Sequence, residues 1–296
     1  MRGQFAGRSR LVFRDQHVII TGGSSGIGRA TAHLLARRGA HLSIIARRQT
    51  LLEETQEELE VLREERDQRI QVCAADLADW QETERAIQTL TADGGYPPDI
   101  LINCAGIVHP GRFAELPLEC FRQTMDVDFF GTLHPVKAVV PMMMERRQGH
   151  IVTVSSVAGF VGLFGYTSYS PAKFAVRGFS DALRDEMRPY GISVSVLFPP
   201  DTDTPQLEHD RRHQPYETRC ISGNNVKVRS AENVAEAMLR GIERRQSYIV
   251  PGLDTKLFFV LASGPMAFNR LVRLLRWYLV DRVVDRIERE GTRGKL

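Results

Sequence analysis

The stretch that decides the fold is Val18–Gly28, which reads VIITGGSSGIG. An apolar run of strand length is followed by a glycine-rich turn and by the start of an amphipathic segment, Ile27–Arg38. Glycines in such a turn allow a tight bend, and they let backbone N–H groups approach an anion at the N-terminus of the helix. Since glycines are also ordinary turn residues, the prediction of an anion-binding turn rests on strand, turn and helix occurring together.

The alternation of strand-length and helix-length segments continues along the chain. The predicted strands are His17–Thr21, Leu42–Ala46, Ile70–Ala74, Asp99–Asn103, His150–Ser155, Ile192–Phe198 and Ser247–Val250. The predicted helices are Ile27–Arg38, Thr50–Arg66, Trp80–Leu90, Leu118–Arg146, Ser168–Arg188 and Ala231–Arg244. The strands are rich in Val and Ile, as in a parallel sheet that is buried on both faces. The order predicts an α/β fold: a single domain with a Rossmann-like doubly wound parallel sheet of about seven strands.

The most specific pair of residues is Tyr169 and Lys173, in the run YSPAK. On a helix, residues four apart share a face, so the two side chains point in the same direction. An ordinary tyrosine, with a pKa near 10, is a poor acid at neutral pH. A nearby cation stabilises the phenolate and lowers that pKa. The pair therefore predicts an acid–base catalyst. Tyr166 has only Ser170 four residues later, which cannot supply this charge.

The glycine spacing G-x-x-x-G-x-G and the Tyr-x-x-x-Lys pair resemble the short-chain dehydrogenase/reductase family, and the resemblance extends from about Val18 to Ser230. It implies that Ser156, thirteen residues before Tyr169, hydrogen-bonds the substrate oxygen, with Ser155 as a close rival. It also implies that Lys173 holds the nicotinamide ribose of a bound dinucleotide. Chance agreement of the turn, the pair and the serine spacing together is improbable, at about one in twenty or less.

The resemblance carries over a set of cofactor-binding positions that lie at the carboxyl ends of predicted strands, where open α/β sheets bind ligands. Asp76 and Leu77 match the pair that contacts adenine, and Thr204 matches the residue that reaches the nicotinamide carboxamide. The full implied set is Gly22, Ser24, Ser25, Gly26, Ile27, Gly28, Arg47, Arg48, Asp76, Leu77, Asn103, Ala105, Gly106, Tyr169, Lys173 and Thr204.

The end of the second predicted strand reads Ala46-Arg47-Arg48. A site that prefers NAD places a carboxylate near this position to bind the ribose hydroxyls. Arginine can instead bind a 2′-phosphate through paired hydrogen bonds. The sequence therefore predicts NADPH/NADP+ as the cofactor. The alternative is that both arginines only cap the start of a helix or solvate the surface.

One position departs from the family pattern. Asp128, in the run DFFG, stands where the family usually has an asparagine that supports a water chain from the lysine. An ionised aspartate accepts hydrogen bonds but cannot donate them. It could pair strongly with Lys173 and alter its pKa, which leaves the proton relay open.

The stretches Pro199–Pro205 (PPDTDTP), Gly162–Thr167 (GLFGYT) and Pro215–Arg219 (PYETR) resemble members of the family that reduce 3-ketosphinganine to sphinganine. The implied function is NADPH-dependent reduction of a small-molecule lipid ketone in sphingolipid metabolism. One alternative is a reductase of another lipid-like or steroid carbonyl. A more distant one is a regulator that binds NADP without catalysis, although such proteins typically lose the tyrosine or the lysine.

Composition excludes several other classes. The chain has 296 residues, a net charge of +3 and 25% charged residues, unlike the basic profile of a nucleic-acid-binding protein. Its four cysteines form no C-x-x-C pair, so we expect neither a metal site nor a dithiol motif. No apolar signal segment opens the chain, and we expect a cytoplasmic protein with reduced thiols.

Two segments are expected to act on the substrate. The long irregular stretch 199–225 predicts a lid within a catalytic domain, residues 1–254. Residues 255–296 form a tail in which Leu257–Phe268 is apolar but too short to span a membrane. The predicted amphipathic helix Met266–Val280 places Arg270, Arg273 and Arg276 opposite its apolar face.

This helix either lies peripherally on the cytoplasmic face of a membrane or packs on protein. The family resemblance also implies a homodimer or homotetramer formed through the long helices Leu118–Arg146 and Ser168–Arg188.

Overall fold

The computed structural model describes residues 13–92, 96–222, 227–263 and Tyr278. Within these ranges, seven parallel strands form one sheet in the order β3-β2-β1-β4-β5-β6-β9. The sheet strands are β1 His17–Thr21, β2 His41–Ala46, β3 Ile70–Ala74, β4 Ile100–Asn103, β5 Gly149–Val154, β6 Ile192–Leu197 and β9 Tyr248–Ile249. Two short strands, β7 Thr202–Asp203 and β8 Arg229–Ser230, pair separately. The predicted doubly wound parallel sheet of about seven strands in a single domain is confirmed.

Helices cover both faces of the sheet and divide the apolar interior into two layers. Leu35, Leu59 and Met238 belong to the layer on one face, while Ile87 and Val139 belong to the layer on the other. Such two-sided cover explains why the strands carry almost no exposed residues. The helices are α1 Gly26–Ala36, α2 Gln49–Leu62, α3 Trp80–Ala92, α4 Leu118–Thr124, α5 Gly131–Arg146, α6 Tyr169–Met187, α7 Pro205–His213, α8 Tyr216–Ser222, α9 Ala231–Glu243 and α10 Leu253–Ser263.

The strand order reverses beside β1, which pairs with β2 on one side and with β4 on the other. At this point Thr21 lies opposite Ile45 and Asn103. The loops that leave β1 and β4 turn to opposite faces, because their crossovers wind in opposite directions along the sheet. A crevice therefore opens beyond the carboxyl ends of these strands, where open α/β sheets bind ligands.

The single helix predicted over Leu118–Arg146 is interrupted. Residues Met125–Phe130 form one wider π-helical turn between α4 and α5. The turn directs Asp128 into the interior, where its carboxylate accepts a hydrogen bond from the Ile107 N–H at 2.7 Å. Turns of this type recur at functional sites. Apolar periodicity did not reveal the break, because helical residues continue on both sides of it.

The stretch 199–225, predicted to be irregular, contains β7 and two helices, α7 and α8, in its described part. Pro205 opens α7, and the Thr204 hydroxyl caps it by accepting a hydrogen bond from the Leu207 N–H at 3.3 Å. The helix sequence PQLEHDRRH has no apolar stripe, so periodicity could not predict it.

The described part of the tail is α10. Phe258 and Phe259 pack against Phe160, with ring centroids 5.7 Å and 5.0 Å away. The amphipathic helix predicted over Met266–Val280 lies outside the described residues apart from Tyr278, and the division after residue 254 stays a prediction. Within the described ranges, no helix combines the length and apolar character needed to cross a membrane.

Candidate active site

The glycine-rich turn is packed too tightly for other residues. Gly22 has a φ of +65°, and a Cβ at this position would lie 2.7 Å from the Ala105 nitrogen. A Cβ at Gly28 would lie 2.5 Å from the Gly22 carbonyl oxygen. Helix α1 begins here with Ser25 as its N-cap, and no side chain caps it. Its first N–H groups are therefore available to an anion.

A cavity of about 740 Å³ lies at the carboxyl end of the sheet, in front of this turn. Most residues implied by the family resemblance border it. They are Gly22, Ser24, Ser25, Gly26, Ile27, Gly28, Arg47, Arg48, Asp76, Leu77, Ala105, Gly106, Ser156, Tyr169, Lys173 and Thr204. Asn103 does not border it: the buried Asn103 amide donates to the Val152 carbonyl oxygen at 3.5 Å and so braces β4 against β5.

The cavity fits a dinucleotide phosphate chain and an additional phosphate. The close-packed glycines leave a cradle that a single Cβ would fill, directly below the N-terminus of α1. Arg47 and Arg48 are exposed at the cavity edge beyond β2, and the strand ends at Ala46 rather than at a carboxylate. This end of the cavity therefore presents positive charge to a 2′-phosphate.

The opposite end holds a buried group of charged side chains. Tyr169 and Lys173 share one face of α6, with the Lys173 Nζ 5.4 Å from the centre of the Tyr169 ring. The same Nζ lies 3.2 Å from the Asp128 Oδ2 and donates to the Val154 carbonyl oxygen at 3.3 Å. The Lys173 side chain is 4% exposed and the Asp128 side chain is fully buried. The pairing of Asp128 with Lys173 that the sequence left open is thus present.

The surroundings set the protonation of the tyrosine and the lysine. Burial raises the pKa of Tyr169, although the charge of Lys173 and a hydrogen bond from Ser156 oppose this rise. The phenol consequently holds its proton at neutral pH. Burial by itself lowers the pKa of Lys173, but the negative charge of Asp128, together with that of Tyr169 once its phenol is ionised, outweighs this effect and raises the pKa overall. The pair therefore combines a protonated phenol with an ammonium group.

The two serines at the end of β5 have different environments. The Ser155 hydroxyl is buried and donates to the Lys173 carbonyl oxygen at 2.8 Å, which ties β5 to α6. Ser156 is half-buried, accepts a hydrogen bond from the Ala158 N–H at 3.1 Å, and lies close enough to Tyr169 to lower the pKa of its phenol. The geometry therefore favours Ser156 over Ser155 as the group that meets a substrate oxygen beside Tyr169.

Sequence reasoning missed part of the cavity wall. Tyr166 borders the cavity, and its hydroxyl donates to the Asp210 Oδ2 at 2.8 Å. Burial, followed by the charge of Asp210, raises the pKa of Tyr166 far above its ordinary range, so this phenol stays protonated. Asp210 comes from α7 and Phe258 from α10. No local motif marks either residue, because only the tertiary fold brings these helices to the cavity.

Asp128→Asn is expected to shift the pH dependence of the ketone reduction that the family resemblance implies. The Asp128 charge raises the pKa of both Tyr169 and Lys173, so its removal lowers both values. With Tyr169 as the proton donor that the resemblance implies, the rate should fall as pH rises through the Tyr169 pKa. The alkaline limb of kcat/KM against pH should therefore move to lower pH by about one to two units. Asp126→Asn, an exposed carboxylate on the same turn, is the matched control. An unchanged limb in Asp128→Asn would contradict the coupling.

Comparisons with known proteins agree with this arrangement. The short chain dehydrogenase family matches residues 16–215. A 3-dehydrosphinganine reductase of Danio rerio is 41% identical over 231 residues, which cover 78% of this chain and 69% of that protein. A 3-ketodihydrosphingosine reductase of Dictyostelium discoideum is 38% identical over 268 residues, covering 86% and 80% of the two chains. The crystal structure of levodione reductase superposes with a TM-score of 0.73 at 26% identity, covering 80% of this chain and 95% of that one.

The family match extends over more than half of the chain and includes β1 through α7, together with the turn after β1 and the Tyr169–Lys173 pair. This chain also aligns with more than two thirds of the length of two relatives, each more than 30% identical to it. The fold, the site and both comparisons therefore lead to the same conclusion: this chain belongs to the short-chain dehydrogenase family.

Proposed function

We propose that this chain is an NADP-dependent oxidoreductase that reduces the ketone of 3-ketosphinganine to the alcohol of sphinganine in sphingolipid biosynthesis. The observation that carries the proposal is the 41% identity to a 3-dehydrosphinganine reductase in a chain that also places Ser156, Tyr169 and Lys173 around one cavity. The catalytic assignment of these three residues is part of the proposal.

NADPH, when bound, supplies the hydride that reduces the carbonyl carbon. The N-terminus of α1 and the glycine turn would hold its pyrophosphate. Arg47 and Arg48 would bind the 2′-phosphate, and Thr204 the carboxamide. Lys173 would hold the nicotinamide ribose from the buried end of the cavity.

The proton needed by the new alcohol comes from Tyr169. The Ser156 hydroxyl donates a hydrogen bond to the substrate ketone oxygen and so fixes it beside the phenol. Tyr169 then transfers its proton to that oxygen as a general acid. The phenolate left behind is stabilised by the Lys173 ammonium, which Asp128 keeps protonated. Burial of this group excludes water, which strengthens each charge interaction.

The remaining wall of the cavity suits an alkyl chain. Val161 and Leu163 follow β5, Leu207 lies on α7, and Phe258 lies on α10. These side chains come from segments outside the cofactor cradle, and we expect them to form an apolar end of the cavity that a long hydrocarbon could occupy.

The direct test is NADPH oxidation with 3-ketosphinganine, a ketone of the same head group with a short chain, and levodione. Levodione represents the second candidate, reduction of another carbonyl, which the structural similarity to levodione reductase favours. We expect the highest kcat/KM with the long-chain substrate. Higher kcat/KM with levodione would support the second candidate, and binding of NADPH without turnover of any ketone would support a non-catalytic role.

Contact with a membrane surface is also part of the proposal. On α10, Thr255 and Ala262 face inward, whereas Leu253, Leu257 and Val260 are 86%, 61% and 57% exposed. These three residues form one stripe at helical spacing. The stripe lies on a helix that also borders the cavity. A lipid surface could cover it and deliver a long-chain ketone directly to the cavity.

Charge substitution on this stripe is expected to weaken membrane binding. Replacing Leu253, Leu257 and Val260 with glutamate should lower co-sedimentation with anionic phosphatidylserine vesicles several-fold, because each change removes apolar contact and adds repulsion. Val61→Glu, at an equally exposed position on α2, is the control. A chain that ends after residue 263 separates the effect of α10 from that of residues 264–296. Equal sedimentation of all forms would contradict the membrane role.

Self-association through the helices after β4 and β5 completes the proposal. Phe130 precedes α5, Phe174 lies on α6, and they remain 40% and 42% exposed. Both belong to the segments that the family resemblance implies for a dimer. Sedimentation equilibrium of the wild-type protein and of Phe174→Glu tests this, and an identical mass for the two would contradict this interface.

A further inference from the structure

Asp210 lies next to the proposed reaction centre without belonging to the acid–base group. It comes from α7 and borders the cavity. The Tyr166 hydroxyl donates to its Oδ2 at 2.8 Å. The ring of Tyr166 in turn lies 6.2 Å from the ring of Tyr169, measured between centroids. Tyr166 therefore holds a carboxylate one side chain away from the phenol that donates the proton.

Only one of the two oxygens of this carboxylate accepts a hydrogen bond from the residues that the structure describes. The Asp210 Oδ1 is buried and has no hydrogen-bond partner among the residues that the structure describes. Asp201 borders the same part of the cavity and adds a second negative charge. Burial raises the pKa of Asp210 to about 6; Asp201 adds to this rise, and Tyr166 and Arg211 oppose it. Since the pKa stays raised, the charge of Arg211 offsets only part of the cost of burying this carboxylate, and a cation placed beside it would offset more.

The proposed substrate carries such a cation at the required place. In 3-ketosphinganine, the carbon that bears the amino group is bonded directly to the carbonyl carbon. A ketone oxygen beside Tyr169 therefore brings the ammonium group close to the neighbouring wall of the cavity. We propose, on the basis of the function proposed above, that Asp210, held by Tyr166, is the specificity-determining carboxylate that binds the substrate ammonium group.

A carboxylate that binds the ammonium group would give the enzyme a selectivity for amino ketones that the acid–base group cannot provide. Ser156, Tyr169 and Lys173 act on the carbonyl oxygen, so they do not distinguish an amino ketone from a plain one. A ketone without nitrogen would leave the Asp210 charge uncompensated, and the enzyme should therefore discriminate against it. The apolar end of the cavity contributes equally to both ketones.

The test compares 3-ketosphinganine with 1-hydroxyoctadecan-3-one, which lacks only the amino group, at about pH 7.5, where Asp210 is ionised. We expect wild-type kcat/KM to favour the amino ketone by roughly tenfold to a hundredfold. Asp210→Asn keeps an acceptor for the Tyr166 hydroxyl but removes the charge. It should lose most of that preference, because its kcat/KM for the amino ketone falls, whereas its kcat/KM for the nitrogen-free ketone stays equal or rises as the uncompensated charge is removed. Asp203→Asn, an exposed aspartate outside the cavity wall, should keep the preference.

Binding of the product gives a second readout that needs no turnover. Sphinganine should bind Asp210→Asn more weakly than wild type by a similar factor, whereas octadecane-1,3-diol should bind both equally. If Asp210→Asn does not fold, the wild-type preference decides, and a ratio near one overturns the inference. An equal loss for both ketones in Asp210→Asn overturns it while leaving the proposed function intact. Turnover of the nitrogen-free ketone alone by wild type overturns both.

Discussion

Tyr169→Phe is expected to lower kcat for ketone reduction by about 10²- to 10⁴-fold while leaving NADPH affinity nearly unchanged. The substitution removes only the phenolic hydroxyl, which is the proposed proton donor, and keeps the ring that packs near Lys173 and Tyr166. Since Lys173 and the glycine turn remain, the cofactor cradle is intact. Steady-state turnover and NADPH fluorescence titration measure the two effects separately.

The matched control is Tyr190→Phe. Tyr190 lies beyond the end of α6, outside the cavity wall, so loss of its hydroxyl should leave turnover unaffected. Lys173→Ala should harm both turnover and NADPH binding, because this lysine serves both the phenol and the ribose. Near-normal turnover by Tyr169→Phe would show that the proton comes from another group.

Ala46→Asp is expected to move cofactor preference from NADPH toward NADH by roughly tenfold to a hundredfold in the ratio of kcat/KM values. The new carboxylate would stand at the end of β2, where it can accept hydrogen bonds from ribose hydroxyls and repel a 2′-phosphate. Arg47→Ala should act in the same direction, since a charge-assisted contact contributes about 1.5–3 kcal/mol.

The control for Arg47→Ala is Arg63→Ala. Arg63 follows α2, pairs with Glu60 at 2.8 Å and does not border the cavity. Its loss should change the kcat/KM for the two cofactors equally. If the unmodified protein used NADPH and NADH equally well, neither arginine could be the determinant of cofactor choice.

Features fixed by neighbours in the chain were predictable from the sequence. The strands follow from short Val- and Ile-rich runs, and the common face of Tyr169 and Lys173 follows from helical spacing alone. By contrast, α7 has no apolar stripe, and Asp210 reaches the cavity only through the tertiary placement of α7.

The serines at the end of β5 also combine a feature that the sequence predicts with one that only the structure shows. The spacing to Tyr169 favoured Ser156, but only the structure revealed that the Ser155 hydroxyl is engaged with the Lys173 carbonyl oxygen. A pattern read along the chain cannot show which of two adjacent side chains faces a helix packed from elsewhere. The π-helical turn at Asp128 likewise depends on a distant partner, the Ile107 N–H.

The position of β9 and α9 in the sheet has a consequence for the nascent protein. Strand β9 completes the sheet beside β6, and Met238 and Leu239 of α9 share a core layer with Leu35 of α1. A ribosome that adds about 5–20 residues per second needs roughly ten to forty seconds to pass from α1 to β9. During that interval the face of α1 that packs against α9 has no cover, and the edge of β6 stays open from the time β6 is made until β9 follows. Chaperones that shield such surfaces can bind there. Newly made chains thus pass through an interval in which these surfaces are exposed. Its length is set by the order and rate of synthesis rather than by the stability of the finished enzyme.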